Sequence, residues 1–177
     1  MQQDREYTNP VSAIHRDVTV IAGATKSIDF AAYTLTEPTI IAALTSAASR
    51  GIAIRLYLDR SELCAEAHHD DTGIKLPIHP LLMQPTVTAK VKHSIILMHL
   101  KSYNVDGTLT RSGSANFSPL GETAQDNEAS WSSDPADGLL FAQKFEQMWN
   151  RPDNLTVAQA IDLNRTTGVV PVHAHSH

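Results

Sequence analysis

His99 and Lys101, two residues apart, are side chains of this 177-residue chain that could do chemistry on a phosphate ester. We expect a strand over residues 97–105, and because side chains alternate between the faces of a strand, both would share one face. A neutral imidazole can attack phosphorus, and an ammonium beside it can stabilise the charge that builds on the non-bridging oxygens. The pair therefore predicts nucleophilic catalysis at a phosphoryl group.

Two more polar side chains could join this pair. Asp106 and the glycine after it form a strong hairpin signal, which predicts that a second strand over residues 108–114 folds back beside the first. Ser114 and Asn116 lie two apart, so a hydroxyl and an amide could share a face beside the phosphate. Asp106 has the opposite strand parity to His99, and we therefore expect it to brace the turn without contacting a substrate.

Together these residues resemble the HKD motif of the phospholipase D superfamily, which reads His-x-Lys, four residues, Asp, six residues, Gly-Ser-x-Asn. Every defined position matches, from His99 to Asn116. The likeness extends over residues 7–151, and it implies an α/β fold with a mixed, largely parallel β-sheet flanked by helices on both faces. An ordinary buried hairpin is the alternative, but a lysine beside a histidine is costly to bury without an anionic partner.

The resemblance also implies a role for each residue in the cleavage of a phosphodiester. His99 would attack phosphorus and form a phosphohistidine, which water then resolves. The residues that would bind the phosphate oxygens are Lys101, Asn116 and Ser114. Glu128 matches the family acid that holds the imidazole through its other ring nitrogen, with Asp126 as the alternative. This scheme requires no metal and no cofactor, because lysine and asparagine supply the charge stabilisation.

The chemistry needs two histidines, one neutral to attack and one protonated to release the leaving oxygen. No other histidine of the chain has a lysine two residues on, so one half of the machinery is encoded. Superfamily members with a single motif are homodimers whose copies meet across a twofold axis, and the resemblance implies the same here. Two such imidazoles titrate as a pair, which predicts a bell-shaped pH dependence of the rate.

The distribution of charge bears on the substrate. The net charge of −5 does not suggest an indiscriminate nucleic-acid binder, yet residues 72–105 contain four lysines and no aspartate or glutamate. Within that segment Lys90 and Lys92 are predicted to bind substrate, and a nonspecific endonuclease acting on DNA or RNA is the preferred interpretation. The alternative is a phospholipase D-type hydrolase of phospholipid head groups or cardiolipin, which the apolar, proline-broken stretch at residues 76–83 and the acidic total charge favour.

The chain is predicted to form a single catalytic domain over residues 1–165, followed by a flexible tail over residues 166–177. Apolar periodicity predicts helices over residues 10–24 and from Asp134 onward. The predicted strands before the motif lie at residues 27–35, 52–59 and 87–91. No apolar run approaches the length of a membrane span. The first residues lack the features of a secretory signal, so the compartment stays open between cytoplasmic and, for a chain whose signal has been removed, periplasmic or secreted.

Two histidine clusters could bind a metal ion. His68 and His69 stand beside two aspartates, but adjacent loop residues seldom converge on one ion, and a solvated loop is preferred. The histidines at 173, 175 and 177 fall in the predicted tail. We therefore expect no metal site.

Overall fold

The structure is a computed structural model that describes residues 3–7, 10–70, 73–123 and 127–167, and in these ranges the chain forms nine strands and seven helices. The strands are β1 (Gln3–Tyr7), β2 (Ser27–Ala32), β3 (Ala53–Leu58), β4 (His68–Asp70), β5 (Gly73–Lys75), β6 (Val87–Val91), β7 (Lys101–Val105), β8 (Leu109–Gly113) and β9 (Glu128–Ser132). The helices are α1 (Pro10–Ala22), α2 (Pro38–Ser49), α3 (Arg60–Ala65), α4 (His79–Leu82), α5 (Pro119–Thr123), α6 (Pro135–Trp149) and α7 (Val157–Thr167).

Seven of these strands form one mixed sheet in the order β1-β9-β8-β7-β2-β3-β6, while β4 and β5 pair separately. The predicted mixed α/β fold is confirmed. The balance of strand directions differs from the expected largely parallel sheet, since β2-β3 and β3-β6 are parallel whereas the other four pairings are antiparallel. The parallel pairs need helical crossovers, whereas a tight turn joins β7 to β8, so the motif half of the sheet is antiparallel.

The crossover from β2 to β3 follows from the sequence of α2. The Glu37 carboxylate caps the helix by accepting from the backbone N–H of Thr39 at 3.2 Å, and Pro38 fits the first helical turn. The helix ends at Ser49, and Gly51, two residues later, has a φ of 92°, a conformation that glycine adopts without strain. The buried face of α2 consists of Ile40, Ile41, Leu44, Ala47 and Ala48. Burial of this stripe holds the helix against the sheet.

Helices cover both faces of the sheet. On the face below α1 and α2, Phe30 stacks on Tyr103 with ring centroids 5.3 Å apart and contacts Phe117 at 4.5 Å. On the opposite face, Phe145 and Trp149 of α6 pack in a second cluster with residues of β2 and β3. These two layers fix the central strands from which the motif residues project.

Three details differ from the sequence-based expectations. The first two residues of the predicted tail are helical, because the hydroxyls of Thr166 and Thr167 donate to carbonyls of the preceding turn and α7 continues to Thr167. Residues 168–177, with their histidines, lie outside the described residues. The stretch expected as a solvated loop contains strand β4, paired with β5. The predicted strand over residues 97–105 begins at Lys101, for reasons given below.

Among the described residues, no group of three histidine, cysteine, aspartate or glutamate side chains is placed to hold a metal ion. Within the same residues, none of the helices has the length and apolar character that crossing a membrane requires.

Candidate active site

His99 lies in an irregular segment immediately before β7, and its side chain is exposed. The backbone on either side of it is anchored by hydrogen bonds. The N–H of Met98 donates to the Asp59 carboxylate at 2.7 Å, and the carbonyl of Leu100 accepts from the Tyr33 N–H at 2.8 Å, next to the β2–β7 pairing. The bond to Asp59 takes the chain away from the strand before the histidine, and both bonds fix where the imidazole leaves the backbone.

Lys101, the first residue of β7, is 4% exposed. Its Nζ donates to the carbonyl oxygen of His99 at 3.0 Å and lies 4.6 Å from the centre of the Tyr33 ring. The same ring contacts the His99 imidazole with centroids 4.6 Å apart and planes inclined by 59°. The structure therefore brings the predicted histidine and lysine together, with a tyrosine between them that the motif did not include.

The charges around Lys101 set its protonation. Burial lowers the pKa of Lys101 to about 8, the nearby carboxylates of Glu62 and Asp59 raise it, and the Arg111 guanidinium lowers it. Because this pKa remains above 7, the side chain is mainly an ammonium at neutral pH. It can then bind a phosphate oxygen as a cation.

Ser114 holds the turn that follows β8 onto the start of β9. Its N–H donates to the carbonyl of Glu128 at 2.8 Å, and its hydroxyl accepts from the Glu128 N–H at 3.0 Å and donates to the side chain of Asn127 at 3.1 Å. Gly113 precedes it with φ of 149°, and a Cβ there would overlap the Glu128 carbonyl. The glycine of the motif is thus required by the close approach of two strands.

Asn116 lies in the same turn, partly buried beneath α5. A Cβ at Gly121 would lie 2.6 Å from the Asn116 carbonyl oxygen and 2.8 Å from its Cβ, so the helix approaches the asparagine as closely as glycine permits. Among the described residues, Oδ1 of Asn116 is buried without a hydrogen-bond partner. Close packing by α5 fixes the position of this amide.

Asp106 lies at the opposite end of β7 from Lys101. Its carboxylate accepts hydrogen bonds from the N–H groups of Thr25, Lys26 and Ser27 and from the Thr25 hydroxyl, at 2.7–2.9 Å. Partial burial raises the pKa of Asp106, but these bonds outweigh it and the pKa lies below its usual value. The residue ties the β7–β8 turn to the start of β2, which is the structural role expected from its strand parity.

The remaining predicted residues are placed differently from one another. Glu128 begins β9 beside the Ser114 turn, whereas its alternative, Asp126, lies outside the described residues.

Lys90 does not join the His99 segment. Its Nζ donates to the carbonyl of Trp149 at 2.8 Å and lies 4.7 Å from the Trp149 ring centre, which fastens β6 to the end of α6. Lys92 follows β6, and its Nζ donates at 3.2 Å to the carbonyl of Leu97, two residues before His99.

A buried polar network below the motif was not predicted. Arg111, 0% exposed, donates to the carbonyls of Lys101 at 2.6 Å and Ala115 at 3.0 Å, and its Nε lies 3.6 Å from the Asp17 carboxylate. Asp17 in turn accepts from the Tyr103 hydroxyl at 2.6 Å and from the Trp131 indole at 3.0 Å. A charged residue at an inward position of β8 was the available signal in the sequence.

The family model described as "Cardiolipin synthase, PLD-like domain" matches residues 18–149, which include every position of the motif. The chain belongs to the phospholipase D superfamily. This assignment confirms the resemblance inferred from the motif, and the two elements that carry the motif, β7 and β8, lie inside the matched range.

Known members of the phospholipase D superfamily resemble this chain over most of its length. A mitochondrial cardiolipin hydrolase from Chlamydomonas reinhardtii is 24% identical over 149 residues, which are 84% of this chain and 63% of that protein. Nuc from Salmonella typhimurium, a phospholipase D family member, has a TM-score of 0.73 at 23% identity, covering 88% of this chain and 98% of Nuc. NucT from Helicobacter pylori has a TM-score of 0.71 at 20% identity, covering 84% and 95%. At these identities the solved structures establish the shared fold.

Proposed function

We propose that this protein is a phosphodiesterase that works without a metal ion through a phosphohistidine at His99. The observation that carries the proposal is the packing of an exposed imidazole and a buried ammonium on one tyrosine ring. A solvent-facing histidine is accessible to a phosphodiester, and a lysine held beside it meets the charge that develops on the phosphate.

The proposed reaction proceeds in two displacements. A ring nitrogen of His99 attacks phosphorus, the P–N bond forms, and the bond to the leaving oxygen breaks as that oxygen takes a proton from a second histidine. Water then attacks the phosphohistidine and gives a proton back to the second histidine, while the P–N bond breaks and restores His99. Lys101 and the Asn116 amide bind the non-bridging oxygens throughout. Glu128 is proposed to orient the attacking ring.

The second histidine is proposed to be His99 of another copy. The rim of the site fits contact with a protein surface, because large apolar side chains flank it in sequence: Ile95 is 67% exposed, Ile96 is 74% exposed and Leu120 is 66% exposed. Ile95 precedes His99 by four residues, and Leu120 follows Asn116 by four. A twofold axis through this rim would cover the apolar side chains and bring two imidazoles to one phosphate.

Nucleic acid is the proposed substrate, as a nonspecific DNA or RNA target. Burial and the charge of Arg151 lower the pKa of Lys92, Lys144 lowers it further, and the carboxylates of Asp59 and Asp153 oppose this shift, so two other cations lie near Lys92. Lys92 contacts the segment that carries His99. A chain of phosphates would neutralise such a group of cations at the edge of the site, with release of counterions.

Hydrolysis of a phospholipid, cardiolipin included, is the second candidate. The relative from Chlamydomonas reinhardtii bears the name of a cardiolipin hydrolase. The two candidates share one reaction centre and differ in the molecule that carries the phosphodiester.

The test is a parallel assay of plasmid DNA, single-stranded DNA, RNA and phosphatidyl substrates with EDTA present. His99→Asn should abolish hydrolysis, whereas His15→Asn, a matched exposed histidine on α1, should not change it. We expect cleavage of nucleic acid whose KM rises steeply with salt. Hydrolysis confined to lipid would favour the second candidate, and nuclease activity abolished by EDTA would contradict the metal-free scheme. Sedimentation should find the active species as a dimer; an active monomer would exclude the shared site.

A further inference from the structure

Tyr33 contacts both reactive side chains, and the proposed reaction assigns it no role. It directly follows the C-terminal end of β2, beside the residue at which β7 begins. Its ring centre lies 4.6 Å from the His99 ring centre and 4.6 Å from the Lys101 Nζ. At these distances the ring limits the rotation of the imidazole on one side and attracts the ammonium on the other.

Glu62, on α3, holds Tyr33 in turn. Burial of the ring and a hydrogen bond to Glu62 both raise the pKa of the Tyr33 hydroxyl, so it stays a neutral donor. The Thr34 hydroxyl donates to the same carboxylate at 3.1 Å. Helix α3 begins at Asp59, whose side chain caps it and also anchors Met98 beside His99. Helix α3 therefore supports both parts of the site. Its cap, Asp59, holds the segment that carries His99, and Glu62 in its next turn holds Tyr33.

We propose that Tyr33, held by Glu62, is a positioning residue that sets the orientation of the His99 imidazole relative to the Lys101 ammonium. This inference rests on the proposed function for its catalytic consequence. The tyrosine takes no proton and forms no bond in the reaction. Its ring restricts two flexible side chains to one geometry, and the carboxylate behind it keeps the tyrosine in place and the lysine charged.

The charged groups around Lys101 come from helix α3 with its cap and from strand β8. Glu62 of α3 and Asp59 at its cap favour the ammonium, and Arg111 of β8 opposes it. Removing the Glu62 charge should therefore lower the pKa of Lys101 below about 8. A side chain with only a packing role would leave that pKa unchanged.

The experiment compares Tyr33→Leu, Tyr33→Phe and Glu62→Gln by kinetics and by NMR. Tyr33→Leu should lower kcat by about 10- to 100-fold with a smaller change in KM, because the reacting groups lose their orientation. Tyr33→Phe keeps the ring but loses the hydroxyl bonded to Glu62, and it should recover part of that loss. In NMR spectra, Tyr33→Leu should remove the ring-current shift of the His99 imidazole, and Glu62→Gln should lower the pKa of Lys101 in a titration of labelled lysines.

A matched control comes from α6. Glu146→Gln removes a carboxylate paired with Arg55, and Glu146 is not among the groups that shift the pKa of Lys101. It should move neither the His99 signal nor the Lys101 titration. An unchanged His99 signal in Tyr33→Leu, or an unchanged Lys101 titration in Glu62→Gln, would overturn the inference even if the wild type is active. A wild type without phosphodiesterase activity would instead refute the proposed function, while the NMR results would still decide the role of Tyr33.

Discussion

Replacement of Arg111 by methionine tests whether the buried network supports the motif. The guanidinium donates to the carbonyls of Lys101 and Ala115, which belong to the two segments that carry the motif side chains. Its Nε also lies 3.6 Å from the Asp17 carboxylate, and both side chains are fully buried. Arg111→Met therefore removes two charge-assisted hydrogen bonds and leaves a carboxylate in the core without its cation.

The size of the expected destabilisation follows from the buried carboxylate that loses its cation. Breaking one side of a buried ion pair costs about 3–5 kcal/mol of unfolding free energy, and the lost hydrogen bonds are part of that figure. A domain of this size has a total of about 5–15 kcal/mol, so the variant should be strongly destabilised. The double variant Asp17→Asn, Arg111→Met should regain part of the loss, because asparagine still accepts from Tyr103 and Trp131 without a charge.

The loss should also depend on pH. Burial raises the pKa of Asp17, and the Arg111 charge opposes this rise. In Arg111→Met the folded-state pKa of Asp17 should rise further above its unfolded value. A carboxyl of this kind leaves the free energy of unfolding unchanged while it is protonated in both states. As pH rises from its unfolded-state pKa towards its folded-state pKa, it lowers that free energy progressively. The stability deficit should therefore be smaller at pH 5 than at pH 7.5.

Urea unfolding followed by circular dichroism measures these differences. If Arg111→Met yields no folded protein, Arg111→Lys keeps the charge, weakens the two-carbonyl bridge and should show an intermediate loss. The reasoning would be refuted by a loss below about 1 kcal/mol for Arg111→Met. An equal deficit at both pH values, with no recovery from Asp17→Asn, would refute it as well.

Three further outcomes follow from the site geometry. Asp106→Ala should lower the free energy of unfolding in urea by about 2–4 kcal/mol, because it removes four hydrogen bonds and places alanine at φ of 56°. Under native conditions kcat should stay near the wild-type value. A large loss of kcat in folded protein would contradict the bracing role of Asp106. Gly121→Ala should displace Asn116 and lower kcat/KM by about tenfold, since the added Cβ meets Asn116 at 2.6–2.8 Å; unchanged kinetics would show that the contact is tolerated. Lys101 should lose its proton with a pKa of about 8 in an NMR titration of labelled lysines, and a side chain that stays an ammonium to pH 10 would contradict this assignment.

The motif could be predicted because its information is local. His99, Lys101, Ser114 and Asn116 lie within eighteen positions of one another, and a tight turn between two strands brings them together. The start of α6 was equally local: the Asp134 side chain caps the N–H of Ala136 at 2.9 Å, ahead of a proline in the first turn. Residues close in sequence constrain each other before any tertiary contact exists.

The rest of the site depends on contacts between distant residues. Strand β7 begins late because Asp59, about forty positions earlier, binds the backbone before His99. Tyr33 reaches the motif through the pairing of β2 with β7, which periodicity does not reveal. Lys90 is a further example. A segment rich in lysine predicted substrate binding, and in the structure the Nζ of Lys90 lies 4.7 Å from the centre of the Trp149 ring; charge counting along a sequence does not reveal such a contact.

The most direct measurement is the capture of the covalent intermediate. The protein is mixed with a substrate labelled at the scissile phosphate, quenched in alkali within the first turnovers, digested and mapped by mass spectrometry. We predict that the labelled phosphoryl group is attached to His99, and that no label is captured in His99→Asn. Label on a different residue, or hydrolysis that continues in His99→Asn, would contradict nucleophilic catalysis by this histidine.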